Sequence, residues 1–219
     1  MKYFDSHAHY YDERFSEELE MGVDEFIDTL LTEKVSYIID IGASPATSRL
    51  VIEQAKKHEN MYCAVGIHPS DTRFLTDMET DLAEIREMIL DKSNKVVCLG
   101  EIGLDYHYPD TDKLHQMAFF ESQLALADKL DMPVIIHDRE AHGDCFDAVC
   151  RYPRVRGVFH RYSGSGWQPT VIDEEESQVL ADLMYEGEDI GDMGELPATT
   201  PSEVLDFRNG TYVILYGLD

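Results

Sequence analysis

The chain has 219 residues, of which 43% are hydrophobic and 10% aromatic, so it can form a core and global disorder is excluded. Its formal net charge of −26 opposes non-specific attraction to nucleic acid or to an anionic membrane. No apolar run approaches the roughly 18 residues of a membrane span, and the N-terminus enters a strand pattern directly, so neither a membrane location nor export is expected.

Strand-like and helix-like segments alternate along the chain. Strands are predicted at residues 2–7, 36–41, 61–68, 95–102, 133–137 and 157–160. Apolar residues recur at helical spacing between them, within 23–30, 50–55, 82–89 and 114–127. This alternation predicts βα units with a parallel sheet, and hence the α/β class, with one large domain as in a TIM-barrel-like (β/α) fold.

The first predicted strand leads into His7 and His9. Residues two apart on a strand point to the same side, so their imidazoles are expected roughly 6 to 7 Å apart, where both could ligate one ion. The alternative is that both rings simply bond to nearby backbone and water.

The later strands also end in polar residues that a packed core would not select. His68 ends the third strand, Glu101 lies at the end of the fourth, His137 ends the fifth and His160 ends the sixth. In a βα barrel these C-terminal ends converge at one mouth. A set of several imidazoles with one carboxylate suits Zn²⁺ or another borderline divalent ion, whereas a carboxylate-rich site would favour Mg²⁺ or Mn²⁺.

Residues 1–166 contain five motifs: Asp5-Ser6-His7-Ala8-His9, Gly66-Ile67-His68-Pro69, Gly100-Glu101-Ile102-Gly103-Leu104-Asp105-Tyr106, Pro133-Val134-Ile135-Ile136-His137-Asp138-Arg139 and Phe159-His160-Arg161-Tyr162-Ser163-Gly164. Together these motifs resemble the TatD family of metal-dependent hydrolases. The resemblance implies a TIM barrel of the amidohydrolase type, one or two divalent ions (Zn, Mg or Mn), and deoxyribonuclease activity on phosphodiesters.

Carried over by position, the resemblance assigns roles to individual residues. It implies that the metal ligands are His7, His9, Glu101, His137 and His160, with Glu101 bridging two ions. It makes Glu101 and His68 the predicted catalytic residues, with His68 near the scissile phosphate. Phosphate oxygens are predicted to contact His68, Arg139 and Arg161, and the acidic surface favours DNA ends or single strands as substrate.

The chain departs from the family pattern after Gly166. Arg161 stands where members usually carry cysteine, and no Glu-Thr-Asp tripeptide supplies the usual aspartate ligand and base. Asp105 and Asp219 are the alternatives for that base. These losses predict an activity that is weakened or absent.

The segment 167–219 is predicted to be a divergent acidic C-terminal segment that packs on the same domain. It holds 13 acidic residues against Arg208 alone, a charge of −12. A helix is predicted at 174–186, an acidic loop at 187–201 and a strand at 211–216. Six parallel strands cannot close a barrel of eight, so we expect the strand at 211–216 to replace part of the missing sheet beside the first or sixth strand.

Three functions stay open on the sequence alone: a TatD-type nuclease, an inactive relative whose acidic tail binds or regulates, and a hydrolase of another ester or amide on the same barrel. The four cysteines lack C-x-x-C spacing and predict reduced thiols in a cytoplasmic protein. A monomer is favoured.

Overall fold

The computed structural model describes residues 3–160 in full and, beyond them, the backbone of residues 202–207 and 210–215. Strands and helices alternate through the first range. The strands are β1 (Tyr3–Ala8), β2 (Val35–Ile41), β3 (Met61–Val65), β4 (Val96–Asp105), β5 (Val134–Arg139) and β6 (Gly157–His160), followed by β7 (Ser202–Phe207) and β8 (Gly210–Leu215). The helices are α1 (Glu13–Glu18), α2 (Val23–Glu33), α3 (Pro45–Lys57), α4 (Met78–Leu90), α5 (Lys113–Leu130) and α6 (His142–Cys150).

The strands form one sheet in the order β1-β2-β3-β4-β5-β6-β8-β7. Each neighbouring pair from β1 to β6 is parallel, and β8 is parallel to β6, whereas β7 runs antiparallel to β8. The first six strands curl into a half-barrel with helices. Because consecutive βα units point the same way, the C-terminal ends of β1 to β6 lie along one edge of this sheet.

Side chains alternate between the two faces of the sheet. On β2, Ile38 packs into the large core that includes the helices, while Ile39 and Ile41 join a smaller apolar cluster built from strand residues. On β5, Ile136 packs into the large core and Ile135 into the small cluster. His137 is next in this alternation, so its side chain points to the concave face that the helices do not cover.

Helix α3 is anchored by hydrogen bonds at both of its ends. At its start, Ser44 and Thr47 form a reciprocal capping box, with Pro45 as the first helical residue. At its end, the ammonium of Lys95 donates to three carbonyls, those of Ala55, His58 and Glu59, at 2.9, 2.6 and 2.9 Å. The capping box holds the β2–α3 connection, whose carbonyls accept hydrogen bonds from the amides of Glu101 and His68.

Two strand boundaries differ from the predicted ones, and each difference changes where a predicted site residue lies. Strand β3 ends at Val65 rather than at 68, so His68 lies in the connection that follows. Strand β4 continues to Asp105 rather than ending at 102, so Glu101 lies inside it. The short helices α1 and α6 were not predicted.

The predicted strand at 211–216 is confirmed as β8, which pairs in parallel with β6. Its partner β7 was not predicted and lies outside it. The helix predicted at 174–186, the loop at 187–201 and Asp219 lie outside the described residues, and the division at residue 166 stays a prediction.

The four cysteines, Cys63, Cys98, Cys145 and Cys150, are free thiols, and the first three are buried. Within the part of the chain that the structure describes, no helix has the length and apolar character to cross a bilayer.

Candidate metal centre

An irregularity in β1 brings His7 and His9 together. Asp5 pairs with Ile38 and Ala8 with Asp40, so three steps on β1 face two on β2, and His7 lies in this bulge. The two Nε2 atoms are 3.2 Å apart and the ring centroids 5.0 Å apart. The rings are therefore closer than the 6 to 7 Å expected for a regular strand.

His9 is held with one nitrogen ready to bind a cation. Its Nδ1 lies 2.7 Å from the carbonyl oxygen of Ile41, so Nδ1 carries the proton and the lone pair is on Nε2. Burial, and then the neighbouring His7, lower the pKa of His9, which favours this neutral form. A backbone carbonyl that orients a histidine in this way is typical of metal ligands.

A second bulge turns Glu101 into the concave face. Leu99 pairs with Val134 and Ile102 with Ile136, so three residue steps along β4 correspond to two along β5. Leu99 and Ile102 both pack into the large core, and Glu101, beside Ile102, points the other way. Its side chain is almost fully buried.

The two oxygens of Glu101 face different histidines. Oε2 lies 3.2 Å from Nε2 of His7 and 4.0 Å from Nε2 of His9, whereas Oε1 lies 3.0 Å from Nδ1 of His137. Burial disfavours the charge, but hydrogen bonds from His137 and His7 prevail and hold the pKa of Glu101 well below its usual value. The carboxylate is therefore ionised at neutral pH and has one oxygen for each side of the site.

The ring of His137 lies between two buried carboxylates. Nδ1 faces Glu101, and Nε2 lies 3.4 Å from Oδ2 of Asp105. Burial lowers the pKa of His137, but Asp105 and Glu101 outweigh it and raise that pKa to about 9. A cation that binds at Nδ1 must therefore displace a proton.

His68 reaches the same place from the β3–α4 connection. Its ring is edge-on to that of His137, with centroids 4.3 Å apart. The amide of Ser70 donates to Nδ1 at 3.1 Å, so in the neutral ring the proton lies on Nε2. Burial lowers the pKa of His68 to about 4, so at neutral pH the ring is an uncharged donor.

The remaining predicted residues are placed as follows. The ring of His160 stacks on that of His7, with centroids 3.5 Å apart and an interplanar angle of 8°. Arg139 is exposed at the mouth, 4.0 Å from Asp105, with its guanidinium carbon 5.8 Å from the ring centroid of Tyr108. Arg161 lies outside the described residues.

The donors fit divalent cations. Among the described residues, two groups have ligand-type atoms within 4.8 Å of one another: His7, His9 and Glu101; and His68, Glu101 and His137. Tetrahedral Zn²⁺ at 2.0 to 2.1 Å from each nitrogen separates two ligands by about 3.3 Å, close to the 3.2 Å between the Nε2 atoms of His7 and His9. Glu101 belongs to both groups, so the arrangement has room for two ions with a shared carboxylate.

The residues that hold the ligands were missed by the sequence reasoning. The Ile41 carbonyl, the Ser70 amide and the buried carboxylate of Asp40, which accepts from the amide of Tyr10 at 2.9 Å, carry no motif. Asp105 stands in the motif, but the sequence suggested it only as an alternative base. Their roles depend on strand register, which sequence spacing does not specify.

The curled βα sheet and the cluster at its C-terminal edge define a class, that of TIM-barrel-like proteins with histidine and carboxylate side chains at the mouth. The profile described as TatD related DNase matches residues 4–174, eight residues past Gly166. The chain belongs to this TatD family.

Individual relatives agree with that placement. YabD of Bacillus subtilis, an uncharacterized metal-dependent hydrolase, is 37% identical over 164 residues, which are 74% of this chain and 61% of the relative. Deoxyribonuclease Tat-D of Schizosaccharomyces pombe is 34% identical over 136 residues, which are 57% of this chain and 43% of the relative. The chain thus spans about three fifths of the length of the first of these relatives, and less of the second.

Solved structures show the same fold. The crystal structure of YjjV, a TatD homologue from Escherichia coli K12, matches with a TM-score of 0.66 and 29% identity over 74% of this chain and 61% of that one. A TatD family hydrolase from Entamoeba histolytica matches with a TM-score of 0.65 over 83% of this chain and 63% of that one. At 23% identity, the second match supports the fold alone.

Proposed function

We propose that this chain is a metal-dependent hydrolase that cleaves phosphodiester bonds, a deoxyribonuclease of the TatD type. The observation that carries the proposal is the position of Glu101, whose Oε2 faces His7 and His9 and whose Oε1 faces His137. One carboxylate shared by two cations is the arrangement that clamps the attacking and leaving oxygens of a phosphoryl transfer. The deoxyribonuclease named among the relatives supports DNA as the substrate.

The ligands that we assign are His7, His9, Glu101, His137 and His160. His7 and His9 would hold one ion with Oε2 of Glu101, and His137 the other with Oε1. Bound divalent ions would supply charge neutralisation at phosphorus and a water of lowered pKa. The nitrogen-rich donors favour Zn²⁺, and Mn²⁺ or Mg²⁺ would bind more weakly.

The side chains around the proposed ion sites would bind and orient the substrate. His68 is uncharged and presents a proton on Nε2, so it would donate to a non-bridging phosphate oxygen rather than act as a ligand. Arg139 at the mouth would contact the next phosphate, and Arg161 is proposed to do the same. A pocket lined by so few cationic side chains suits the end of a DNA strand or single-stranded DNA.

The test compares metal content with DNA cleavage in the 219-residue chain. The protein is stripped with a chelator, reloaded with Zn²⁺ or Mn²⁺, and assayed for bound ions and for nucleotide release from single-stranded DNA. We expect His7→Ala to lose one ion per chain, and both His7→Ala and Glu101→Gln to lose more than about 100-fold in kcat/KM. His107→Ala is the matched control, because His107 is exposed and pairs with Glu140.

Two outcomes would reject the proposal. Undiminished cleavage by His7→Ala would show that the site does not perform the reaction. Bound metal without turnover in the parent chain would favour the inactive relative with a binding or regulatory role.

A further inference from the structure

The proposed function gives the buried carboxylate at the end of β4 no role as a metal ligand or in substrate binding. Asp105 is 3% exposed. Its amide donates to Oε1 of Gln116 at 2.9 Å, and its Oδ1 accepts from the amide of His107 at 3.0 Å. Both the backbone and one carboxylate oxygen are thus held in place.

The other oxygen of Asp105 is directed at His137. Oδ2 lies 3.4 Å from Nε2 of His137, a charge contact longer than a well-formed hydrogen bond, and 4.0 Å from Arg139. The opposite nitrogen of the same ring, Nδ1, faces Glu101. His137 therefore joins Asp105 on one side to the shared carboxylate on the other.

We propose that Asp105 is a positioning residue that keeps a proton on Nε2 of His137 and so presents the Nδ1 lone pair to the cation beside Glu101. This inference rests on the proposed function, because it concerns the same metal centre. Among the described residues, Asp105 belongs to neither group of ligand-type atoms, so we treat it as a partner of His137 rather than as a ligand. Carboxylates in this position orient the ligand ring and raise its basicity.

Asp105→Asn tests this inference more sharply than Asp105→Ala, which removes the carboxylate altogether. The amide of His107 donates to Oδ1, so the carbonyl oxygen of an amide at position 105 would stay on that donor and its NH₂ would face His137. An NH₂ group offers a proton to Nε2, which then cannot carry its own, and the ring's proton moves to Nδ1, where it blocks the cation. A merely structural role would make Asp105→Asn milder than Asp105→Ala.

The experiment measures Zn²⁺ affinity by competition with a chromophoric chelator. We expect Asp105→Ala to weaken one of two sites by about 10- to 100-fold and Asp105→Asn to weaken it further. Asp138→Asn is the control for loss of a buried carboxylate, because Asp138 pairs with His142 at 2.8 Å; its Zn²⁺ affinity should match the parent. Unfolding curves of all variants check that the fold is kept.

A second readout is the nitrogen NMR spectrum of the zinc-loaded parent chain. We expect His137 to show a protonated Nε2 and a zinc-shifted Nδ1. The inference is overturned if Asp105→Asn binds Zn²⁺ as tightly as Asp105→Ala or the parent, or if the proton lies on Nδ1. These outcomes are separate from a failure of the proposed function, since zinc affinity and ring protonation are measured without any DNA.

Discussion

Glycine at position 103 determines how closely β4 approaches β5 beside the candidate metal centre. Gly103 has φ of +140°, a conformation that side chains disfavour. A Cβ atom there would lie 2.0 Å from the carbonyl oxygen of His137. The absence of a side chain is therefore required for the parallel pairing that positions His137 next to Glu101.

We expect Gly103→Ala to lower the free energy of unfolding by about 2 to 4 kcal/mol, through backbone strain and displacement of β5. Zn²⁺ affinity should fall with it, because His137 moves with its strand. Urea unfolding and zinc competition measure the two effects. Gly143→Ala in α6 is the control, because nothing lies within 4 Å of its Cβ position; equal stability of the two variants would contradict the strain argument.

Single residues also show what the sequence could predict of the site. The ligand candidates on β1, β4, β5 and β6 were identifiable because polar side chains at strand ends conflict with core packing. The separation of His7 and His9 was predicted wrongly, because a regular strand was assumed where β1 bulges. The bulge in β4 could not be predicted either, since the apolar residues of this segment have the pattern of one continuous strand.

At the scale of elements, the junction between β1 and β2 contains a fully buried acid. Asp40 is 0% exposed, and its Oδ1 accepts from the amide of Tyr10 just after β1. Burial raises its pKa from 3.8 to about 7. The folded chain therefore binds this proton more tightly than the unfolded chain, and the stability that Asp40 contributes at low pH is lost as pH rises from about 4 to about 7.

We expect Asp40→Asn to stabilise the fold, relative to the parent chain, more at high pH than at low pH. Relative to the parent, its free energy of unfolding should rise by about 2 to 3 kcal/mol between about pH 5 and about pH 8, because the amide keeps the bond from Tyr10 but never ionises. Urea titrations at both pH values provide the measurement. Asp147→Asn, at an exposed position of α6, controls for the loss of one acid. A pH-independent difference for Asp40→Asn would show that Asp40 is charged in the fold.

At the scale of the whole molecule, charge decides how DNA could approach. The chain carries 44 acidic residues against 18 lysines and arginines. Such a surface repels long stretches of phosphate backbone, so under the proposed function DNA binding would come from the candidate metal centre and a few cations such as Arg139.

Cleavage of single-stranded DNA should accordingly depend little on salt. Between about 50 and 200 mM KCl we expect kcat/KM to change by less than about tenfold, whereas a protein with 6 to 10 phosphate contacts loses about 10³ to 10⁵ in affinity. Steady-state rates with a short oligonucleotide measure this directly. A loss of about 10³ would reveal an extended cationic track and contradict the argument from charge.

The order of the six strands and of helices α2 to α5 could be predicted over residues 3–160, because buried parallel strands and amphipathic helices have distinct periods. The short helices α1 and α6 were missed. Strand β8 was also predictable, from its run of β-branched and aromatic residues. Its neighbour β7 was missed, since Ser202–Phe207 mixes acidic and apolar residues and forms an outer strand of the sheet. Pairing with another strand, rather than local preference, makes that segment extended.

The planar shape of the Glu101 carboxylate links the two sides of the candidate metal centre. Its oxygens belong to one rigid planar group, so a cation that captures Oε2 beside His7 also fixes the direction of Oε1 toward His137. The two sides of the centre would therefore depend on each other, and a substitution that disturbs Glu101 on one side should also weaken cation binding on the other.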